Sequence, residues 1–375
     1  MKRIGIITIH RIYNYGSVLQ ALALQIVCES LGYYVEIIDY IFPNGYHKSR
    51  SEGSGVEHVS IKSKIIKYLY SIQLFRQHRN IKAFVRNYLK LSSRTYSSPI
   101  DLKANRPLYD VYITGSDQLW NPRYTFGDTS FFLDFAPYES LKISYAASFG
   151  VSQIDLKYIE LIRNGLARYD SLSVRENSGR EIIESLISQK AEVVLDPTLL
   201  LDANAWSKYA VKPKVNKKYI LCYFLNYTFD PFPYVDDLSE YFSRITGYDV
   251  IRIARPPQKF INYNTRFEIS TSPEEFIGWI QNAELVLTTS FHGTAFAVNF
   301  SVPVFSIIEN RGTADSRQID LLKSIGLEDR LLSVHDDFHV VDKIDCDYNF
   351  AQNKLKELRL SSLNYLKKAL VDEKD

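Results

Sequence analysis

Short apolar runs alternate with polar, glycine-containing stretches along most of this chain. Ile4-Gly5-Ile6-Ile7-Thr8-Ile9 is a largely apolar run of strand length, the pattern of a strand buried on both faces of a parallel sheet. A polar loop, His10 to Gly16, follows. Ser17 to Leu31 is rich in Leu, Ala and Gln and predicts a helix, with Gly32 as its stop. Val35 to Ile38 predicts the next strand. This is one βαβ unit, whose right-handed crossover builds doubly wound sheets. Pro43 to Gly55 predicts a flexible loop, and Ile61 to Leu91 a long helix.

Further strands are predicted at Tyr109 to Thr114, Ile143 to Ala147, Leu172 to Val174 and Val193 to Leu195. A polar motif follows each: Gly115-Ser116-Asp117-Gln118, Ser148-Phe149-Gly150, Arg175-Glu176-Asn177 and Asp196-Pro197-Thr198. Ligands of open parallel sheets bind beyond the carboxyl ends of the strands. These motifs, with Asn14-Tyr15-Gly16-Ser17, are therefore expected along one edge. A second unit begins near Trp206, after which Lys212 to Lys218 looks like a linker. Strands at Tyr219 to Leu225, Asp249 to Ile253, Leu285 to Thr288 and Val302 to Ile308 interleave with helices at Val235 to Thr246, Pro273 to Asn282 and Thr294 to Phe300. Phe350 to Leu370 predicts a terminal amphipathic helix that packs back on the first domain. The expected organisation is a Rossmann-like domain over 1–205 with a basic helical insertion at about 56–95, a second over 206–345, and a helix in 346–375.

Composition narrows the function classes. A chain of 375 residues suits two cores, and 46% apolar with 23% charged residues describes a folded protein. A net charge of +2 gives no global attraction to nucleic acid. Cys28, Cys222 and Cys346 are scattered and suggest neither a disulfide framework nor a zinc site. No signal-peptide pattern and no membrane-spanning run stand out, so a cytoplasmic location is expected. The 27 tyrosines suit sugar-binding clefts, though for any single Tyr plain sheet packing is the leading reading. Between Ile61 and Leu91 every charge is basic, from Lys62 to Lys90. Such a surface is a solvated helix face, or one that meets phosphate head groups at a membrane.

His292, in Thr289-Ser290-Phe291-His292-Gly293-Thr294, follows a buried strand and precedes a helix. Gly293 permits a tight turn, and backbone N–H groups at a helix start can hold an anion beside which a histidine favours its acid form. The other reading is a helix-start histidine with structural bonds. Arg175 can clamp a carboxylate or phosphate, or pair with Glu176. Asp117 can act as a base toward a hydroxyl or cap a turn. Asn14 to Ser17 can bind a hydroxyl or anion, or merely cap a helix. Asp196 reads as a turn-fixing residue before Pro197. Arg311 and Arg317 can add positive charge. No dinucleotide, P-loop or metalloprotease motif is present.

Together, Asn14-Tyr15-Gly16-Ser17-Val18-Leu19-Gln20, Gly115-Ser116-Asp117-Gln118-Leu119-Trp120, Ser144-Tyr145-Ala146-Ala147-Ser148-Phe149-Gly150, Val174-Arg175-Glu176-Asn177, Leu195-Asp196-Pro197-Thr198 and the His292 run resemble the polysaccharide pyruvyl transferase family. Residues 43–105 and the last 45 or so carry no such likeness. The resemblance implies an α/β fold of two Rossmann-like domains in a GT-B-like arrangement with an interdomain cleft. It implies phosphoenolpyruvate as donor, a surface-polysaccharide sugar or its lipid-linked precursor as acceptor, and a cyclic ketal as product. His292 would be the general acid and Arg175 a donor ligand. Some family members carry Arg two residues before this histidine, where this chain has Ser290; Arg317 or Arg311 would then supply the charge. Phe291, Gly293, Thr294, Gln118 and Ser148 join the expected binding set, with Asp117 as base. No cofactor or metal is called for. The rival expectations are a nucleotide-sugar glycosyltransferase of the same architecture and a non-catalytic sugar- or anion-binding protein.

Overall fold

The computed structural model describes residues 1–41, 61–226, 228–253, 265–313, 315–341 and 344–371, without the side chains of 61–70 and 340. The loop expected over Pro43 to Gly55 and the side chains of Lys62, Lys64 and Lys67 lie outside the described residues.

The first sheet is parallel throughout. It contains β1 (Arg3–Ile7), β2 (Tyr34–Tyr40), β3 (Leu91–Tyr96), β4 (Val111–Thr114) and β5 (Leu141–Ser144), in the order β3-β2-β1-β4-β5. A parallel pair, β6 (Leu172–Val174) and β7 (Ala191–Val193), continues it through the bridges Ile143–Ser171 and Ala147–Val174. The second sheet holds β8 (Tyr219–Tyr223), β9 (Asp249–Ile253), β10 (Thr265–Glu268), β11 (Leu285–Thr288), β12 (Val304–Ile308) and β13 (Leu331–Ser333). Its order is β10-β9-β8-β11-β12-β13, again all parallel. Both orders reverse direction beside the first strand of the unit, at β1/β4 and β8/β11. That reversal leaves a crevice at the carboxyl ends of the strands.

β3, β10 and β13 escaped the hydrophobic pattern. β3 and β10 read LSSRTY and TRFE and lie at sheet edges, where one face meets water and no apolar run is needed. β13 is only three residues long.

Helix α1 (Tyr15–Ser30) buries 13 of its 16 residues. An apolar surface on all sides marks a helix wedged between layers, here sheet one and the second domain. Leu31 caps it and Gly32 turns the chain at φ +91°. The basic helix, α2 (Ile61–Tyr88), joins the domains: Asn80 donates to Ser270 O at 2.8 Å, and Gln77 donates to the Tyr15 hydroxyl. Among the described residues Arg76, Arg79, Lys82 and Arg86 face solvent. The second unit holds α5 (Tyr234–Thr246) and α6 (Pro273–Gln281), and the last helix, α9 (Asn349–Ala369), spans both units. Gln352 near its start donates to Val298 O at 2.7 Å, whereas Tyr365 near its end donates to Ser144 O at 2.9 Å. No helix among the described residues is long and apolar enough to cross a membrane.

Candidate active site

Four helices begin just beyond strand ends, and residues at their starts meet in the crevice. Asn14 caps α1, its Oδ1 accepting from Gly16 N at 2.9 Å. Asp196 caps α4 (Pro197–Leu200), accepting from Thr198 N at 2.9 Å. Ser290 caps α7 (Phe291–Asn299), its hydroxyl accepting from Gly293 N at 3.3 Å. Glu176 stands at the N-cap of α3 (Asn177–Leu186) without capping it; Asp320 of α8 (Arg317–Ser324) accepts from Asn177 N at 2.9 Å.

The expected α7 start at Thr294 is corrected to Phe291, so His292 belongs to the first helical turn. Gly293 makes no turn there. It is glycine because a β-carbon would sit 2.4 Å from Thr288 Oγ1. Gly16 meets His292 more closely still, since a β-carbon on it would lie 2.0 Å from the imidazole Nδ1.

Asp196 is the hub of the cluster. Its Oδ2 accepts from Arg175 Nη1 at 2.7 Å and from Ser116 Oγ at 2.8 Å, and lies 3.7 Å from His292 Nε2. Burial alone would raise this carboxyl. His292, Arg175 and Thr198 outweigh burial and hold it well below the usual carboxylate range. Asp117 lies opposite. Ser17 Oγ donates to its Oδ2 at 2.6 Å, and Arg175 Nη2 is 3.8 Å from its Oδ1. Here too Arg175, His292 and Ser17 overcome burial and keep the carboxyl below its ordinary value. Asp117 has φ +86°, a left-handed backbone that aspartate tolerates and that is often found at functional turns. Glu176 is fully buried. Its Oε1 accepts from Ser148 Oγ, Phe149 N and Gly150 N, and burial raises its carboxyl despite nearby Arg175 and Arg317.

Several buried polar atoms in this cluster are unspent. Among the described residues, Arg175 Nε and Nη2, His292 Nε2 and Glu176 Oε2 have no hydrogen-bond partner. Each such group costs free energy unless a ligand or water meets it. The Arg175 side chain is 1% exposed, and its guanidinium stands 4.7 Å from the Phe291 ring. Arg317 approaches the same ring at 5.9 Å while held by Asp315. The ensemble therefore sets unmet guanidinium and imidazole nitrogens beside the carboxylates of Asp117, Asp196 and Glu176.

A polysaccharide pyruvyl transferase family model matches residues 14–311. The chain belongs to that family. Its fold is that of GT-B proteins. MnaA of S. aureus, solved with UDP, aligns at 13% identity over 99% of this chain and 97% of its own, with a TM-score of 0.55. The UDP-GlcNAc 2-epimerase of Methanocaldococcus jannaschii aligns at 12% over 95% and 92%, with 0.50. UGT89C1 of Arabidopsis thaliana, solved with UDP-L-rhamnose, aligns at 9% over 99% and 99%, also with 0.50. No curated protein matches the sequence.

The cluster gathers His292, Asp117, Arg175, Ser17, Gly16, Phe291 and Arg317. Other expected site residues face elsewhere. Arg311 forks onto Asp336 with two bonds of 2.9 Å and is mostly exposed, so it adds no charge to the cluster. Tyr15 is buried against Phe276 at 4.7 Å and donates to Thr271 O, which makes it a domain fastener. Thr294 is buried and bonds Ser290 O and Ser306 Oγ. The Ser148 hydroxyl is committed to Glu176, and the Gln118 carbonyl to Asn121 Nδ2 at 2.7 Å. Asn14 and Ser290 spend their side-chain oxygens on caps.

Asp196 and Glu176 were underrated by sequence. Asp-Pro reads as a plain turn, and nothing local says that a carboxylate will meet two cations from elsewhere. Their signal was the shared strand-end position. The strand expected over Val193 to Leu195 ends instead at Val193, which frees Asp196 to cap α4. No group of residues that could hold a metal ion occurs among the described residues.

Proposed function

We propose that this protein transfers the pyruvyl group of phosphoenolpyruvate onto two hydroxyls of one sugar, forming a cyclic ketal in a surface polysaccharide or its lipid-linked precursor. The observation that carries the reading is the pair of unspent donors on buried Arg175, beside His292 and Arg317. A donor with a carboxylate and a phosphate needs just such paired cations to offset its own repulsion.

In this scheme His292 delivers a proton to the methylene carbon of the enol. Electron deficiency grows at the adjacent carbon, and the first sugar hydroxyl attacks it. The bond to the phosphate oxygen breaks, the second hydroxyl closes the ring, and hydrogen phosphate leaves. One proton enters the methyl group and two leave the hydroxyls, so the balance needs neither water nor an oxidant. Asp117, held low, is a weak base. It takes a hydroxyl proton only as the C–O bond forms and that proton turns acidic. We place the reaction in the cytoplasm, at the inner face of the membrane, where the exposed cations of α2 favour anionic surfaces.

The test is mass spectrometry of a sugar panel incubated with phosphoenolpyruvate, in parallel with UDP-sugars. A mass gain of pyruvate less water, with stoichiometric phosphate, supports the proposal. Glycosyl transfer, or no product across the panel, refutes it.

A further inference from the structure

The N-terminus of α3, in the first domain, is capped by a residue of the second. Glu176 provides no side-chain cap, and Asn177 N donates across the domain seam to Asp320 Oδ2 at 2.9 Å. Ser316 Oγ donates to the same oxygen at 3.1 Å and lies 3.5 Å from Ser178 Oγ. Beside these contacts is a cavity of ≈ 90 Å³, which Arg175, Asn177, Arg317 and Asp320 help to line. One water needs about 10–15 Å³ of such space, so there is room for several waters or one small oxyanion.

Two independent features of the cavity suit an oxyanion. A helix N-terminus presents N–H groups and the positive end of the helix dipole. Arg175 lines the cavity with its side chain 1% exposed, and its Nε and Nη2 have no partner among the described residues. Those two nitrogens share the edge of the guanidinium that can receive two oxygens at once. Carboxylates nearby oppose an added anion, but they are held with unequal firmness. Asp196 is buried and bonded by Arg175, Ser116 and Thr198. Asp315 is committed to Arg317, whose Nε donates to it at 2.6 Å. Asp320 is half-buried, pairs with no cation among the described residues, and on leaving gives up only the two neutral donors Asn177 N and Ser316 Oγ. Of the three, it is the negative charge free to swing aside.

We propose that Asp320 is a displaceable latch. It occupies the N-terminus of α3, and a small oxyanion of the phosphate class entering the cavity takes its place. The polar contact between α3 and α8 is then released, which couples anion occupancy to the grip between the two domains. The coupling is reciprocal, so whatever loosens the latch tightens anion binding. That the anion is the phosphate released from the donor is the one part that rests on the pyruvyl-transfer reading.

The experiment is calorimetric titration with inorganic phosphate, at constant ionic strength, of wild type, Asp320→Asn, Asp320→Ala and Asp336→Asn. A latch competes with the anion. Both Asp320 variants should therefore bind phosphate more tightly, by on the order of tenfold for one like charge removed at a half-exposed site. Asp320→Asn keeps an oxygen for Asn177 N and Ser316 Oγ, and so separates the loss of charge from the loss of the cap. Asp336→Asn removes the same charge from the same domain outside the cavity, and its affinity should equal that of wild type. No phosphate binding by any of the four proteins, unchanged or weaker binding by the Asp320 variants, or an equal gain in Asp336→Asn overturns the proposal. A plain cap gives the second of these results, with a lower melting temperature for Asp320→Ala. Incubating wild type with phosphoenolpyruvate and the sugar panel separates the two readings. Tighter phosphate binding by the Asp320 variants without pyruvyl transfer refutes only the pyruvyl-transfer reading, whereas transfer with no effect of Asp320 on phosphate refutes only the latch.

Discussion

Gly16 and His292 approach so closely that one methyl group on the glycine would reach 2.0 Å from the imidazole Nδ1. The N-terminus of α1, from one domain, thus sets the ring position of a residue on α7, from the other. Gly16→Ala must displace the imidazole. A displacement near 1 Å at a catalytic group costs on the order of 10²-fold in rate. We expect pyruvyl transfer to fall by about that factor with little change in donor affinity, read as kcat against KM.

His292→Asn should leave a folded protein that binds donor but transfers ~10²–10⁴-fold more slowly, the usual worth of a general acid. Phosphate release measured with acceptor present checks this. A rate near wild type would remove His292 from the chemistry.

Arg175→Lys keeps the charge beside Asp196 but removes the planar fork and its two unspent donors. Calorimetry with phosphoenolpyruvate should show affinity lower by about tenfold or more, one charge-assisted hydrogen bond being worth about 1.5–3 kcal/mol. Unchanged affinity would place the donor elsewhere.

Asp196→Asn removes the carboxylate shared by Arg175 and His292. Breaking a buried pair by removing one partner costs about 3–5 kcal/mol, so a lower melting temperature at neutral pH is expected. The pH dependence has a definite sign. Burial opposes ionisation of Asp196, but its partners win and lower its native pKa. The unfolded chain therefore binds more protons near pH ~4, and stability rises with pH there. Above that range the contribution is complete, and it is lost as pH falls toward the native value. Asp117 acts in the same direction. The fall in melting temperature from about pH 5 downward should be shallower in the variant than in wild type.

Glu176→Gln keeps an Oε1 acceptor for Ser148, Phe149 and Gly150 and removes a buried charge whose Oε2 is unpartnered. Burial raises this carboxyl, so ionising it above its unfolded value near pH ~4.3 costs stability. The melting temperature of Glu176→Gln at pH 7 should equal or exceed wild type, whereas Glu176→Ala, which drops three bonds, should melt lower.

The hydrophobic pattern along the chain dictates the two parallel sheets, because strands buried on both faces must be written as apolar runs such as Ile4 to Ile7 and Leu285 to Thr288. It determined which segments stand at the carboxyl ends of those strands, and hence most of the cluster: His292, Arg175, Asp117 and Ser17. Edge strands β3 and β10 stayed hidden because one wet face erases the apolar run. Residues of equal local promise were separated by packing between the sheets. Arg317 and Arg311 sit six positions apart in one polar stretch, yet one approaches Phe291 and the other forks onto Asp336. Asp196 became the hub because Arg175 and His292, 21 and 96 positions away in the chain, arrive at the same oxygen. Periodicity reports which face of an element is buried. It does not report which charge a buried carboxylate will meet, since that depends on how two separately folded sheets are set edge to edge.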